Sequence, residues 1–287
     1  MTGYDALRNR AAWIDLSSRG KIKLTGEDRA RLLHAMTTNH IQQLTPGSGC
    51  YAFFLNDKGR VLADANILCR PDYFLLDVEP EVRVPLYQHL DRFIIADDVT
   101  LEDATEGTAT FAVEGPEASE VIERAGAPIP EAEFSSADWG DSLIACLNST
   151  GGTGFFLFAP VAEKPALISR LEAAGAEPAD AEAARVVRLE HGKPRYTEDI
   201  SDRFLAQEAN QPHALHFSKG CYLGQEIVER VRSRGQIHRV LRPLVLDTKE
   251  PPAPGTKLHI DGADAEITSA AYSPALDKVV ALAYVRV

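Results

Sequence analysis

The stretch Gly49–Leu68 reads GCYAFFLNDKGRVLADANIL and contains two apolar runs separated by a polar turn. The turn spans Asn56–Gly59, where Asn and Asp can bond their own backbone and Gly tolerates a positive φ, so the chain can reverse tightly. A second turn signal, Arg70–Asp72 with a central proline, precedes another apolar run over Tyr73–Val78. This pattern predicts a three-stranded antiparallel meander.

Short strand and helix patterns alternate irregularly on both sides of the meander. Apolar Ile22 and Leu24 alternate with lysines and predict a strand over Lys21–Thr25, and the segment EDRARLLHAMTTN that follows Gly26 predicts a helix. Further helices are predicted over Pro80–Phe93, Gly115–Arg124, Pro165–Ala174 and Glu182–His191, and further strands over Val99–Asp103 and Thr108–Val113. This order is typical of an α+β domain and not of a series of βαβ units.

The character of the sequence changes near residue 240. Three prolines lie within Lys249–Gly255, and the segment Lys257–Val287 consists of short apolar runs separated by Gly262 and by Ser273–Pro274. These features predict a small all-β domain over 241–287 that follows a larger α+β region over 1–240.

Composition excludes several classes of protein. The 287 residues are 45% hydrophobic and 25% charged, which is typical of a folded globular chain and excludes extensive disorder. The longest apolar runs are far shorter than the roughly 20 residues that span a bilayer, and the N-terminus lacks a signal segment, so we expect a cytoplasmic protein without membrane association. A net charge of −12 argues against direct binding of nucleic acid. The four cysteines are widely spaced in the sequence, which predicts free thiols.

The segment Ser218–Gln236, SKGCYLGQEIVERVRSRGQ, concentrates the chemically informative residues. Gly220 and Gly224 flank Cys221, and helical spacing begins directly afterwards. We therefore expect Cys221 just before a helix N-terminus with Lys219 nearby, and both features favour a reactive thiolate. A structural cysteine in a tight turn is the alternative that the residue types leave open.

Two further patterns surround this segment. Six basic residues against two acidic ones give residues 219–242 a local charge of +4, which fits either a solvated helix face or a site for an anion. His213, His216 and Cys221 form an H-x-x-H-x-x-x-x-C string. Three potential ligands without a fourth and without a standard spacing predict no metal site.

The octapeptide Lys219–Glu226, KGCYLGQE, resembles the K-G-C-Y-x-G-Q-E signature of the YgfZ family. These folate-binding proteins are related to the glycine-cleavage T-protein and are linked to iron–sulfur cluster assembly and tRNA modification. Gly49–Leu68, Arg188–Ile200 and Glu266–Val285 resemble further blocks of the same family. The resemblance implies an α+β, three-lobed ring of the T-protein type, with two interleaved lobes over 1–240 and a small C-terminal β-barrel-like lobe.

The resemblance also implies a site for tetrahydrofolate or a derivative. Asp64 matches the second aspartate of the T-protein's L-D-D-L block, whereas Ala63 replaces the first, and Glu190 matches the glutamate that pairs with the pterin ring. A carboxylate at position 64 could orient or deprotonate an amine. Further candidate folate contacts are Tyr222, Arg230 and Glu208. Cys221 is the second candidate catalytic residue, as a functional thiol.

The resemblance therefore predicts a folate-binding protein that supports the assembly or repair of iron–sulfur enzymes and, through it, tRNA modification. Its expected partners are folate, iron–sulfur enzymes or assembly factors, and tRNA-modifying enzymes. One alternative is a tetrahydrofolate-dependent aminomethyltransferase of glycine cleavage, against which Cys221 and Ala63 count. The other is a non-catalytic RNA-binding factor, against which the lack of aromatic residues among the basic ones counts.

Overall fold

The computed structural model describes residues 1–235 and 237–287. Within these residues the chain forms seven α-helices and fifteen β-strands. The helices are α1 (Tyr4–Asn9), α2 (Arg29–Met36), α3 (Arg83–Asp91), α4 (Ala118–Arg124), α5 (Lys164–Ala173), α6 (Ala181–Glu190) and α7 (Gln225–Arg234). The strands are β1 (Ala12–Asp15), β2 (Gly20–Thr25), β3 (Gly49–Leu55), β4 (Val61–Cys69), β5 (Phe74–Val78), β6 (Thr100–Asp103), β7 (Thr108–Glu114), β8 (Ser136–Trp139), β9 (Ser142–Ala145), β10 (Gly154–Pro160), β11 (Glu177–Pro178), β12 (Arg239–Leu246), β13 (Lys257–Ile260), β14 (Ala263–Ser273) and β15 (Lys278–Arg286). No helix in the described ranges is long and apolar enough to cross a membrane.

The predicted meander forms three strands of a five-stranded sheet with the order β3-β4-β5-β2-β6. Strands β3, β4 and β5 pair antiparallel in sequence order, as the turn signals predict. The Asn56 side chain accepts hydrogen bonds from the backbone N–H groups of Lys58 and Arg60, at 2.9 and 3.0 Å, and Gly59 has a φ of +68°. The turn chemistry that was expected from the sequence therefore closes the hairpin.

A second sheet has six strands in the order β11-β1-β7-β10-β9-β8. Strand β1 precedes all five strands of the first sheet in the sequence. It nevertheless pairs with β7 and β11, which follow those five strands. The first two lobes are therefore interleaved in the sequence. Strand β1 belongs to the six-stranded sheet, β2–β6 form the five-stranded sheet, and β7–β11 belong to the six-stranded sheet again.

The C-terminal sheet has four antiparallel strands in the order β12-β15-β14-β13 and curls into a half-barrel. It packs against α6 through β14 and β15, and Leu282 and Tyr284 share one buried cluster with residues of the first sheet such as Ile22. The fold is thus the mixed α+β fold that the sequence predicts. The four cysteines are free thiols, also as predicted.

Helix α7 sits directly on the β3–β4 turn. Its N-cap is Gly224, with a φ of +84°, and a Cβ at that position would lie 2.6 Å from the backbone oxygen of Asn56. A Cβ at Gly59 would likewise lie 2.8 Å from the side chain of Ile227. These close approaches require glycine on both sides, and they hold the segment that contains Cys221 against the first sheet.

Candidate functional site

A cavity of about 840 Å³ opens where the two larger lobes meet. Its wall is formed by residues of both larger sheets, by one face of α6 and by the segment 191–198. The volume lies within the roughly 300–1,000 Å³ that small-molecule sites usually have. The cavity is therefore the natural place for a ligand of the size of a cofactor.

Asp64 lies on this wall, where the strand pattern of β4 places it. Residues two apart on a strand point to the same face, so Asp64 and Asn66 both line the cavity. The Asp64 side chain is buried, and its Oδ2 accepts a 2.6 Å hydrogen bond from the Tyr51 hydroxyl. Burial raises the pKa of Asp64 to about 6; the negative charge of Glu79 acts in the same direction, whereas the Tyr51 hydrogen bond and Arg19 oppose it.

Ala63, by contrast, faces away from the cavity. It is 1% exposed and belongs to the hydrophobic core beneath the first sheet. Strand alternation puts residues 63 and 64 on opposite faces, so the residue at 63 is a core residue here. Among the described residues, Ala63 therefore contributes to the core and not to the cavity wall.

A network of ion pairs fixes the wall beside Asp64. Arg19 binds Asp77 with two hydrogen bonds of 2.8 Å and also contacts Glu79. Arg195 reaches the same Glu79 at 2.9 Å, and Asn66 donates to Asp77 at 2.8 Å. Sequence reasoning missed these groups because they come from four distant segments of the chain, and no local pattern distinguishes them from surface charges.

A second set of ion pairs joins α6 to the segment 198–199, which is hydrogen-bonded to the C-terminal sheet. Arg188 binds Asp199 and Glu198 at 2.7 Å each, and Arg185 also pairs with Glu198. Asp199 is fully buried and accepts a 2.6 Å hydrogen bond from Thr268 of β14. The cavity face of α6 is therefore linked to the C-terminal sheet through residues 198–199.

The histidines of the H-x-x-H-x-x-x-x-C string separate in the structure. His213 lines the cavity, with its ring centroid 5.2 Å from that of Tyr51 and 6.5 Å from that of Phe134, and burial lowers its pKa. The ring of His216 instead packs edge-on against His40, with the centroids 5.1 Å apart. In the part of the chain that the structure describes, no group of His, Cys, Asp and Glu has the arrangement of a metal site.

The carboxylate of Glu190 lies outside the lining, as far as the chain is described. It accepts a 2.6 Å hydrogen bond from the Tyr4 hydroxyl, accepts another from Ser273 and pairs with Arg8. Arg188 of α6 lines the cavity. Glu190 follows two positions later and therefore lies about 200° around the helix, on the opposite face. This placement departs from the expectation of a pocket wall: the carboxylate joins α1, α6 and β14.

Cys221 is exposed, and its neighbour Lys219 is turned inward. The Lys219 ammonium donates to the backbone oxygens of His34 and Thr37 at the end of α2 and lies 4.7 Å from the centroid of the half-buried Tyr222 ring. Burial lowers the pKa of Lys219 to about 7. The lysine that was expected to favour a thiolate therefore caps the C-terminal end of a helix.

Glu208 and Arg230 complete the predicted contacts. Glu208 is buried and accepts hydrogen bonds from the backbone of Leu205 at 2.9 Å and from Arg239 at 3.2 Å. Arg230 is exposed and pairs with Glu226 at 2.7 Å. Among the described residues, Asp64 alone of the predicted folate contacts lines the cavity; Glu190, Tyr222, Arg230 and Glu208 do not.

Residues 2–219 match the sequence model of the family described as the GCVT N-terminal domain. The chain is 30% identical over 294 residues to the aminomethyltransferase of Rubrobacter xylanophilus. The matched region covers 98% of this chain and 78% of that protein. It is 28% identical to a provisionally named chloroplastic transferase of Arabidopsis thaliana, over 90% of this chain but only 61% of the plant protein's length. The crystal structure of the glycine cleavage system aminomethyltransferase T from Bartonella henselae matches with a TM-score of 0.90 at 22% identity, covering 99% of this chain and 80% of that one, which shows a common fold.

Proposed function

Because the chain belongs to the family of the GCVT N-terminal domain, we propose that it binds a tetrahydrofolate derivative in the cavity around Asp64. The observation that carries the proposal is the state of this carboxyl group. It is buried on the cavity wall, and its hydrogen bond from Tyr51 leaves the second oxygen available for a ligand. With a pKa of about 6, it can accept a proton or a hydrogen bond from a ligand amine near neutral pH.

Calorimetric titration with tetrahydrofolate tests this proposal. We expect a micromolar dissociation constant, on the order of −8 kcal/mol. The variant Asp64→Asn keeps the shape of the side chain but removes its charge, and it should weaken binding by about 1.5–3 kcal/mol. The exposed Asp141 provides the matched control, because Asp141→Asn makes the same chemical change away from the cavity. No heat with any reduced folate at high concentration would refute the proposal.

For the cellular role, we propose support of iron–sulfur enzymes in the cytoplasm, with those enzymes or their assembly factors as partners and tRNA modification as a downstream effect. The support is the resemblance of Lys219–Glu226 to the YgfZ signature, together with the exposure of the Cys221 thiol. A cell that lacks the native protein should regain iron–sulfur enzyme activity with the native chain and not with Cys221→Ser. Full complementation by the serine variant would contradict this role.

Aminomethyl transfer from a lipoyl carrier protein to tetrahydrofolate is the second candidate, favoured by the names of the bacterial relatives and by the core position of Ala63. In this reaction the folate takes up the carbon as a methylene group and ammonia is released. Purified protein supplied with an aminomethyl-lipoyl carrier and tetrahydrofolate distinguishes the two candidates. Sustained ammonia release that disappears in Asp64→Asn would establish the transferase, whereas binding without turnover favours the iron–sulfur role.

A further inference from the structure

The arginine and lysine side chains of the cavity wall differ in their ion pairing. Four of them are arginines, and each lies within ion-pair distance of at least one carboxylate: Arg19, Arg185, Arg188 and Arg195. The fifth is Lys193, for which no carboxylate lies within 4.0 Å among residues 1–235 and 237–287. The cavity thus pairs its arginines with carboxylates and leaves one ammonium without an ion-pair contact to any described residue.

The hydrogen bonds of the Lys193 ammonium to described residues are both to neutral oxygens. Its Nζ donates to the backbone oxygen of Asn148 at 2.5 Å and to the Asn148 side-chain oxygen at 2.7 Å. An ammonium has three N–H donors, so one remains for another partner. Burial lowers the pKa of Lys193, while the negative charges of Glu114, Glu133 and Asp64 act in the opposite direction from beyond ion-pair distance.

The support beneath Lys193 is rigid. The fully buried Glu114 accepts hydrogen bonds from the backbone N–H and the hydroxyl of both Ser149 and Thr150. The Thr150 backbone oxygen in turn contacts Nδ1 of His191 at 2.7 Å. Both oxygens of Glu114 are thereby occupied, so this carboxylate holds the turn that carries Asn148. The ammonium is consequently preorganised at a fixed place on the wall.

We propose that Lys193 is the anion-recognising residue of the cavity: its third N–H binds a negatively charged oxygen of the ligand, while Asp64 contacts the ligand's amine. Both groups line the same cavity. A ligand that carries an amine at one end and an anionic oxygen at the other would satisfy both. The identity of the ligand as a folate rests on the proposed function, whereas the anion site rests on Lys193 itself.

The test compares two ligands and two variants by calorimetry. Tetrahydrofolate carries carboxylates, and 6-methyltetrahydropterin has the reduced ring without them. Lys193→Met should weaken tetrahydrofolate binding about 10- to 100-fold, as the loss of a charge-assisted hydrogen bond predicts, and should change pterin binding by less than about 3-fold. Lys278→Met, which removes an exposed lysine of β15, is the matched control and should change neither affinity.

Two outcomes overturn the inference: equal affinity of native protein and Lys193→Met for tetrahydrofolate, or equal weakening of both ligands. A native protein that binds neither ligand refutes the proposed function instead. The anion site is then tested with benzoate and benzamide, followed by ¹⁵N NMR of the lysine ammonium groups with Lys193→Met for assignment. Benzoate should raise the pKa of Lys193 and benzamide should not, and an unchanged titration with benzoate overturns the anion site.

Discussion

The replacement Asp64→Asn should stabilise the protein at neutral pH and leave its stability unchanged in acid. Asparagine has the same shape as aspartate, and its side-chain oxygen can still accept the hydrogen bond of the Tyr51 hydroxyl. The variant therefore removes the ionisation of a buried group while it keeps the packing. Any dependence of its effect on pH reports the titration of this one carboxyl group.

The magnitude follows from the pKa. Burial raises the pKa of Asp64 from 3.8 to about 6, so the folded protein binds the proton more tightly than the unfolded chain does. The contribution of this group to stability is fully present below about pH 4 and is lost as the pH rises through about 6. A pKa difference of about 2 corresponds to about 3 kcal/mol. At pH 8 the free energy of unfolding of the asparagine variant should therefore exceed that of the native protein by about 3 kcal/mol.

Urea unfolding at intervals between pH 4 and pH 8 measures this effect. The free energy of unfolding of Asp64→Asn minus that of the native protein should rise by about 3 kcal/mol between pH 4 and pH 8. The same difference for Asp141→Asn should stay flat, because that residue is exposed. Tyr51→Phe should move the transition to higher pH, since it removes a hydrogen bond that lowers the pKa of Asp64. A difference for Asp64→Asn that does not vary with pH would refute the reasoning.

Three further predictions concern other parts of the molecule. Cys221 should react fastest with iodoacetamide, because it is exposed while burial raises the pKa of the three other cysteines; peptide mass spectrometry after partial labelling checks the order. Glu190→Gln should lower the free energy of unfolding by about 1–3 kcal/mol, measured in urea, because it leaves a partly buried ion pair and its hydrogen bonds incomplete. Gly224→Ala should lower the melting temperature more than Gly220→Ala, since both have positive φ but only the first would push a Cβ to 2.6 Å from Asn56; equal effects would contradict the close approach.

The sequence predicted the elements of this fold well where local chemistry determines them. The meander around Asn56 and the helix that follows Gly26 form as expected, because turn residues and apolar spacing act within a few positions of each other. Predicted helix starts were less accurate: α3 begins only at Arg83, after a short turn of 3-10 helix over Pro80–Val82. Helix ends depend on capping contacts that apolar periodicity does not encode.

The site was predicted less completely than the fold, for a physical reason. Asp64 could be inferred because a resemblance singled it out and strand alternation turns it toward the cavity. Arg19 and Lys193 carry no such signal, since each gains its role from partners far away in the sequence. Tyr51 contacts Asp64 across the predicted hairpin, but the strand pattern does not predict the register that brings the two side chains together. The sequence also did not predict where the Glu190 side chain points. Its partners Tyr4 and Ser273 come from α1 and β14, and the packing of these elements against α6 brings them to Glu190.

The interleaved order of the strands has a consequence for synthesis on the ribosome. Strand β1 emerges first, but its partner β7 begins at Thr108, about 90 residues later, so at typical translation rates β1 stays unpaired for about 5–20 seconds. The first sheet, which needs only residues between Gly20 and Asp103, can close in that interval. Nascent chains from which β6 has emerged but β7 has not should therefore protect β2–β6 from protease while β1 remains cleavable. The five-stranded sheet therefore forms before the six-stranded sheet, although the first strand of the chain belongs to the six-stranded sheet.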